Sequence, residues 1–225
     1  MRDSGVWMAV ARNGVARCRR QGEEWGLVNL APVDVSEHEE RRQLLLSVVK
    51  ERGLIQFDEP RELASGELSR DFIDAKRGLA KGADLALACR VMAESVVLAG
   101  IDFTAVGGLT LGADQFSHGV AAVLADDTEW FVVRKQPKGR GTDQLVEGAR
   151  LGRGSRVLLV DDIVTTGGSI RQAFERVAET GATVVAAVTL VDRGEVAGAY
   201  FRNLDVPYLP VFTYVDLGIV AVGGA

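Results

Sequence analysis

The sequence contains few of the residues that build disulfide frameworks, metal centres or imidazole-based catalytic sites. Its two cysteines, Cys18 and Cys89, have no metal-type spacing and no framework to belong to, and its two histidines, His38 and His118, are far apart. The composition therefore argues against a zinc site and against a Ser-His-Asp hydrolase. It favours reduced thiols in a cytoplasmic protein.

Long apolar runs and an excess of positive charge are also missing. No apolar stretch reaches the length of a transmembrane helix, and the first residues lack the apolar stretch and cleavage site of a signal peptide. The formal net charge of -5 gives no sign of a nucleic-acid-binding surface. We therefore expect a cytoplasmic protein that contacts neither membranes nor nucleic acid.

What is present suffices for one domain with a short extension. Apolar residues make up 47% of the 225 residues, which allows a buried core, and charged residues make up 25%, which argues against wholesale disorder. We place an N-terminal extension of unknown role at residues 1–34 and the main domain at residues 35–225. A basic cluster in the extension could contact nucleic acid, although a solvated face is the simpler interpretation. The cluster consists of Arg17, Arg19 and Arg20.

The rest of the chain is organised around residues 156–170, RVLLVDDIVTTGGSI. An apolar run, typical of a strand buried on both faces, leads into Asp161 and Asp162, a polar turn and a helix start. The turn at residues 165–169 precedes a helix N-terminus, where unpaired N–H groups and the helix dipole favour a phosphate. The acids would repel a phosphate, so they suit sugar hydroxyls or a hydrated Mg²⁺. The pattern fits a sugar 5-phosphate; a strand end with solvated acids is the alternative.

The segment VLLVDDIVTTGGS resembles the phosphoribosyl diphosphate (PRPP) binding motif of type I phosphoribosyltransferases. This resemblance implies that Asp161 and Asp162 hold the ribose hydroxyls, take part in catalysis and contribute to a Mg²⁺ site formed mainly through PRPP. It also implies that the turn binds the 5-phosphate. The motif residues expected to bind PRPP are Asp161, Asp162, Ile163, Val164, Thr165, Thr166, Gly167, Gly168 and Ser169.

Residues 130–148, WFVVRKQPKGRGTDQLVEG, predict a strand followed by a basic loop. Four cations on a glycine-containing loop in an acidic protein favour diphosphate as a partner, because they can neutralise its growing charge; a solvated loop is the alternative. The segment resembles the flexible catalytic loop of orotate phosphoribosyltransferases, RK-x-x-K-x-HG, with Arg140 where a His is usual. The resemblance implies catalytic roles for Lys138 and Arg140, and a homodimer in which the loop closes over the neighbouring site. The four expected PRPP-binding cations are Arg134, Lys135, Lys138 and Arg140.

Residues 63–76, LASGELSRDFIDAK, predict a turn and a short strand, which alone would indicate a surface hairpin. The segment resembles the L-x-SG-x-x-S-x-x-(Y/F)-x-D stretch of orotate phosphoribosyltransferases, which forms a hood over the base. The resemblance places the hood at about residues 60–75 and implies that Phe72 and Ile73 bind orotate. The positions that depart from the usual pattern, which is basic there, are Ala64, Glu67 and Leu68.

The segment TAVGGLTLGAD predicts a short strand, a turn at Gly107 and Gly108, and a helix over residues 113–124. This order suits an anion, although a plain strand–helix loop is the alternative. In the family that the chain resembles, the equivalent loop lies against the diphosphate, which implies PRPP binding by Thr110. Thr110 and Leu111 stand where other members have a Tyr-Lys pair.

A Val-rich run at residues 182–191 predicts another buried strand, which ends in Asp192 and Arg193. The resemblance implies that Arg193 pairs with the carboxylate of orotate, to which a guanidinium fork is well matched. A structural pair with Asp192 is the alternative. Thr165 completes the residues expected to contact orotate.

Alternating strands and helices predict an α/β fold with a mostly parallel sheet. Residues 36–52 predict a helix that begins with a capping box of Ser36 and Glu39, and residues 76–100 predict one long helix. The resemblance specifies the type I phosphoribosyltransferase fold, with helices flanking the sheet and a small N-terminal hood.

The resemblance implies an enzyme that transfers ribose 5-phosphate from PRPP to orotate, with Mg²⁺ as its cofactor. The products would be orotidine 5'-monophosphate and diphosphate, in pyrimidine biosynthesis. Two alternatives stay open. The altered hood and Arg140 allow a phosphoribosyltransferase for another base, although a purine has no carboxylate for Arg193. A non-catalytic PRPP sensor is the other, although the loop cations are kept and no helix-turn-helix pattern is evident.

Overall fold

Strands and helices alternate along most of the chain. The structure is a computed structural model that describes residues 10–11, 16–17, 33–63, 66–124, 127–136 and 145–222. The strands are β1 (Val10–Ala11), β2 (Ala16–Arg17), β3 (Leu54–Glu62), β4 (Leu68–Ile73), β5 (Ala105–Leu109), β6 (Glu129–Val133), β7 (Val146–Gly148), β8 (Arg156–Val164), β9 (Thr183–Asp192) and β10 (Tyr208–Thr213). The helices are α1 (Val35–Val48), α2 (Ala75–Gly78), α3 (Gly82–Leu98), α4 (Asp114–Leu124), α5 (Gly168–Glu179), α6 (Val196–Asn203) and α7 (Tyr214–Leu217).

Six strands form the central sheet, in the order β10-β9-β8-β5-β6-β7. The first five strands in this order run parallel to one another. The sixth, β7, pairs antiparallel with β6 at one edge of the sheet. The predicted α/β fold with a mostly parallel sheet is therefore confirmed. The carboxyl ends of the parallel strands meet at one edge, where ligands bind in open α/β sheets.

The central strand β8 is buried from both sides. Val157 and Leu159 belong to a core cluster that includes residues of α5 and α6, whereas Leu158 and Val160 belong to a cluster that includes residues of α1, α3 and α4. All four side chains are at most 1% exposed. Each such burial contributes roughly 1.5–3 kcal/mol, so the apolar run that predicted a two-sided strand fixes β8 firmly at the middle of the fold.

The predicted hood is an antiparallel hairpin of β3 and β4, outside the central sheet. The register runs from Leu54–Ile73 at its base to Glu62–Leu68 near its tip, with an irregularity between Gln56 and Arg61. The strand predicted around Phe72 and Ile73 is thus present. Ala64, one of the departing hood positions, lies outside the described residues.

The start of α1 differs from the prediction. Asp34, rather than Ser36, caps the helix: its carboxylate accepts hydrogen bonds from the backbone N–H groups of Ser36 at 2.8 Å and Glu37 at 3.3 Å. The capping box of Ser36 and Glu39 is wrong because aspartate competes equally well for this position. A π-helical turn at Val49–Gly53 then extends the helix to the glycine at which it was expected to end.

The long helix predicted over residues 76–100 is two helices, α2 and α3, separated at residues 79–81. Gly78, the last residue of α2, packs closely against Gly53. A Cβ on Gly78 would lie 3.1 Å from the Cα of Gly53. The apolar spacing continued across the break, so periodicity alone did not reveal it. None of the described helices is long and apolar enough to cross a membrane.

The glycines expected to form a turn after β5 lie inside the strand. A Cβ on Gly107 would lie 2.2 Å from the carbonyl oxygen of Phe131, and one on Gly108 would lie 2.1 Å from that of Val160. These glycines therefore permit close approach within the sheet rather than a turn. The helix predicted over residues 113–124 is present as α4.

Candidate active site

The two predicted acids occupy the carboxyl-end half of β8, which continues through Ile163 to Val164. Asp161 is buried, and its Oδ1 accepts a hydrogen bond from the backbone N–H of Asp162 at 3.0 Å. Oδ1 of Asp162 accepts one from the backbone N–H of Ile163 at 2.8 Å. The backbone of a well-packed strand thus sets the orientation of both carboxylates.

Ionisation of both carboxyl groups in this pair is electrostatically unfavourable. Burial, followed by repulsion from Asp162, raises the pKa of the Asp161 carboxyl, and the positive charge of Lys76 acts in the opposite direction. Adjacent carboxylates resist simultaneous ionisation unless a cation compensates them. This pair therefore favours a cation or hydroxyl donors as its ligand.

The predicted phosphate loop connects β8 to α5. Thr165 and Thr166 lie between the two elements, whereas Gly168 and Ser169 already belong to the first turn of the helix. Gly167 occupies the N-cap position with φ of 76°, a conformation that favours glycine, and has no side chain to cap the helix. The first N–H groups of α5 are thus without a side-chain cap from this position, which suits an anion.

A cavity of about 840 Å³ opens beside the acids. It brings together residues from β8, from the start of α5, from the segment after β5 and from the end of β6. The predicted site residues that line it are Thr110, Arg134, Lys135, Asp161, Asp162, Ile163 and Ser169. The cavity thus combines acids, a helix N-terminus and cations, an arrangement that suits a phosphorylated sugar.

The start of the basic loop is held near the sheet. Nη1 of Arg134 lies 3.2 Å from Oε1 of Glu147, and the Arg134 backbone N–H donates to the carbonyl oxygen of Leu145 at 2.7 Å. The other two predicted cations, Lys138 and Arg140, lie outside the described residues.

Lys76 is a cavity residue that sequence reasoning missed. Its Nζ lies 3.1 Å from Oδ2 of Asp162, although the two residues are 86 positions apart. Lys76 stands in α2, directly after the hood strand. A single lysine at a strand–helix junction carries no pattern of its own, and only the tertiary fold brings it to the acids.

The predicted orotate contacts, Phe72, Ile73, Thr165 and Arg193, are not among the described residues that line this cavity. Phe72 is exposed, whereas Ile73 is buried in the core, as expected for successive residues of a strand. The side chain of Ile73 thus faces away from solvent, so a ligand could meet this residue mainly through its backbone.

Arg193 follows β9 and is 1% exposed. Its Nη1 donates to the carbonyl oxygen of Asp71 at 2.9 Å, and its Nη2 donates to Oγ of Ser69 at 3.1 Å. The guanidinium therefore holds the hood strand β4, and Nε has no partner in the described part of the structure. The alternative pairing with Asp192 is not what holds it, since Oδ1 of Asp192 accepts from the backbone N–H of Gly194.

The possible metal ligands at the site are few. No group of three or more His, Cys, Asp or Glu side chains that could hold a metal ion occurs among the described residues. Asp161 and Asp162 offer carboxylate oxygens, which fit Mg²⁺ because this ion is usually bound by one or two carboxylates together with waters and substrate phosphates.

Comparisons with known proteins agree with this geometry. The family described as "Phosphoribosyl transferase domain" matches residues 78–199. A protein of Streptomyces coelicolor named orotate phosphoribosyltransferase is 38% identical over 161 residues, which cover 70% of this chain and 87% of the relative. One of the same name from Aquifex aeolicus is 36% identical over 180 residues, covering 78% of this chain and 97% of the relative.

Solved structures give the same result. Orotate phosphoribosyltransferase of Mycobacterium tuberculosis, in complex with Fe(III) dicitrate, matches with a TM-score of 0.69 and 33% identity over 80% of this chain and 99% of that one. The same enzyme in complex with PRPP matches with a TM-score of 0.66 and 32% identity over the same shares. The family that the sequence motifs resembled is thereby confirmed: the chain belongs to the phosphoribosyltransferases, and within them to the orotate phosphoribosyltransferases.

Proposed function

We propose that the chain transfers ribose 5-phosphate from PRPP to N1 of orotate, giving orotidine 5'-monophosphate and diphosphate in pyrimidine biosynthesis. The observation that carries this proposal is the single cavity in which the acid pair of β8, the N-terminus of α5 and the cations after β6 meet. The relative solved with PRPP supports this substrate, and the names of the curated relatives support orotate.

Each part of the cavity fits one part of PRPP. Asp161 and Asp162 would accept hydrogen bonds from the ribose hydroxyls, and the loop at the start of α5 would donate its N–H groups to the 5-phosphate. Thr110, after β5, would contact the diphosphate. The proposed PRPP-binding set is Thr110, Arg134, Lys135, Lys138, Arg140, Asp161, Asp162, Ile163, Val164, Thr165, Thr166, Gly167, Gly168 and Ser169.

The chemistry requires stabilisation of two opposite charges. As the bond from the anomeric carbon to diphosphate breaks and the bond to N1 of orotate forms, the ribose becomes more positive and the leaving group more negative. The proton on N1 is released to the departing diphosphate or to solvent. The acids would favour the first change, and Lys138 and Arg140, with Arg134 and Lys135, would favour the second. Asp161 and Asp162 would hold Mg²⁺ together with the bound substrate, and the ion would supply further neutralising charge.

Orotate would bind between the hood and the phosphate loop, with Phe72, Ile73, Thr165 and Arg193 around it. The unpartnered Nε of Arg193 is the donor that remains for a carboxylate. Because Nη1 and Nη2 already bind β4, a carboxylate that used them would have to displace Asp71 or Ser69. Orotate binding through Nη1 or Nη2 would therefore be coupled to a movement of the hood.

The decisive experiment follows the absorbance band of orotate on mixing with the protein, PRPP and Mg²⁺. We expect the orotate band to be lost only when the protein, PRPP and Mg²⁺ are all present. If the band persists while adenine, guanine or hypoxanthine is consumed with PRPP, the hood selects another base. Binding of PRPP by calorimetry without turnover of any base would instead indicate a PRPP sensor.

We further propose a cytoplasmic homodimer in which the loop that begins at Arg134 closes over the neighbouring site. Mixing two inactive variants, Lys138→Ala and Asp161→Asn, tests this arrangement. Activity should return on mixing, because a mixed dimer combines an intact loop from one protomer with an intact acid pair from the other. Sedimentation as a monomer, or no recovery of activity in dimers shown to exchange subunits, would contradict it.

A further inference from the structure

Lys76 is the cation nearest to the acid pair among the described residues of the cavity. Its Nζ pairs with Oδ2 of Asp162 at 3.1 Å, and its charge is also among those that act on Asp161 and Asp114. The other described cations that line the cavity, Arg134 and Lys135, follow β6 and belong to the base of the basic loop. Lys76 therefore brings positive charge to the cavity from a separate part of the chain.

The contact between Lys76 and Asp162 is easy to exchange. The Lys76 side chain is 53% exposed, whereas that of Asp162 is 17% exposed. Solvent-exposed ion pairs contribute little free energy, and lysine carries its charge on a flexible stem. The ammonium can therefore leave Asp162 without disturbing the strand that holds the carboxylate.

An anionic substrate would favour the release of the Lys76 ammonium from Asp162. The acid pair repels an incoming diphosphate. The end of β5 and the segment that follows it line the cavity with uncharged residues only, Leu109, Thr110, Leu111 and Gly112. Lys76 is the described cation of this cavity that lies outside the basic loop, so it adds positive charge for the diphosphate independently of that loop.

We propose that Lys76 is a diphosphate-binding residue of this site. In the ligand-free protein its ammonium compensates Asp162. On PRPP binding, Oδ2 of Asp162 exchanges the ammonium of Lys76 for a ribose hydroxyl, and the ammonium contacts diphosphate oxygens. This assignment rests on the proposed function and extends it to a residue on the hood side of the cavity. The competing explanation is a purely structural ion pair that keeps the acids in place.

Calorimetry with three ligands separates the two explanations. Inorganic diphosphate, PRPP and orotidine 5'-monophosphate are titrated, with Mg²⁺, into the wild type, Lys76→Met and Lys76→Arg. Losing one charge-assisted hydrogen bond should raise the Kd of diphosphate and of PRPP about tenfold in Lys76→Met. Binding of orotidine 5'-monophosphate, which has no diphosphate, should not change, and Lys76→Arg should restore most of the diphosphate affinity.

The matched control is Lys81→Met, which removes an exposed lysine at the start of α3 that is not among the residues lining the cavity. It should bind all three ligands as the wild type does. The inference is overturned if Lys76→Met binds diphosphate with wild-type affinity, or if it weakens orotidine 5'-monophosphate and diphosphate binding equally. A wild type that neither binds PRPP nor consumes orotate would refute the proposed function itself.

Discussion

The sheet edge and the hood hold their polar side chains in different ways. At the sheet edge, backbone N–H groups of β8 orient Asp161 and Asp162, and the strand itself is packed on both sides. The hood hairpin lies outside the sheet, and the guanidinium of Arg193 binds it to the core. The proposed site for the sugar phosphate is thus built on packed secondary structure, whereas Arg193 and the core residue Ile73 attach the hood.

The largest expected effect comes from a substitution that removes the contact between the hood and the core. Replacing Arg193 with Met keeps an apolar stem but removes the buried guanidinium that donates to the Asp71 carbonyl and to the Ser69 hydroxyl. We expect the free energy of unfolding to fall by about 3 kcal/mol, measured by urea denaturation. Orotate turnover should be lost, whereas PRPP binding by calorimetry should persist because the sheet edge is intact.

The control for this change is Arg202→Met, which removes an exposed arginine of α6. It should leave both stability and turnover close to the wild type. Parallel loss of PRPP binding in Arg193→Met would contradict the separation between hood and sheet edge.

A smaller effect should follow from crowding the acid pair directly. A Cβ on Gly112 would lie 2.5 Å from Oδ1 of Asp162 and 2.7 Å from Oδ1 of Asp161. Gly112→Ala should therefore displace the carboxylates, and we expect PRPP affinity to fall roughly tenfold, in line with an overpacking cost of about 1–3 kcal/mol. Gly82→Ala is the matched control, since its Cβ would meet nothing within 4 Å. Unchanged PRPP affinity in Gly112→Ala would show that the acids do not contact the ligand.

The smallest effect concerns the charge of Asp161. Burial and the neighbouring carboxylate raise its pKa. Between the ordinary value for aspartate and the raised one, the folded state keeps a proton that the unfolded state has lost. Raising the pH through this window should therefore destabilise the wild type, by at most ~1.4 kcal/mol per pH unit.

In Asp161→Asn, the free energy of unfolding should not show this fall with rising pH when urea denaturation is repeated from acidic to alkaline pH. Asp58→Asn, a change at an exposed hood position, should retain it. Identical pH profiles for Asp161→Asn and the wild type would mean that the acid pair is not strained in the folded protein.

The sequence predicted the sheet edge better than the hood for a physical reason. Strand β8, its acids and the start of α5 are consecutive in the chain, so their order alone specified the local geometry. Lys76 reaches Asp162 across 86 positions, and Arg193 reaches Ser69 across 124. Contacts of this kind depend on how the hairpin packs on the sheet, which no local pattern encodes. The break between α2 and α3 was also not predicted, and the residue that ends α2, Gly78, packs closely against Gly53, which is 25 positions away in the sequence.

Strand β5 contains two positions that should not tolerate any side chain. Gly107 and Gly108 are sites at which even a methyl group would overlap a neighbouring strand's carbonyl oxygen. A random-mutagenesis library selected for growth should therefore return almost no substitutions at these two codons, although neither residue carries a functional group. Resistance mutations or engineered variants are more readily sought in the hood, where the exposed face of β4 leaves room for new side chains.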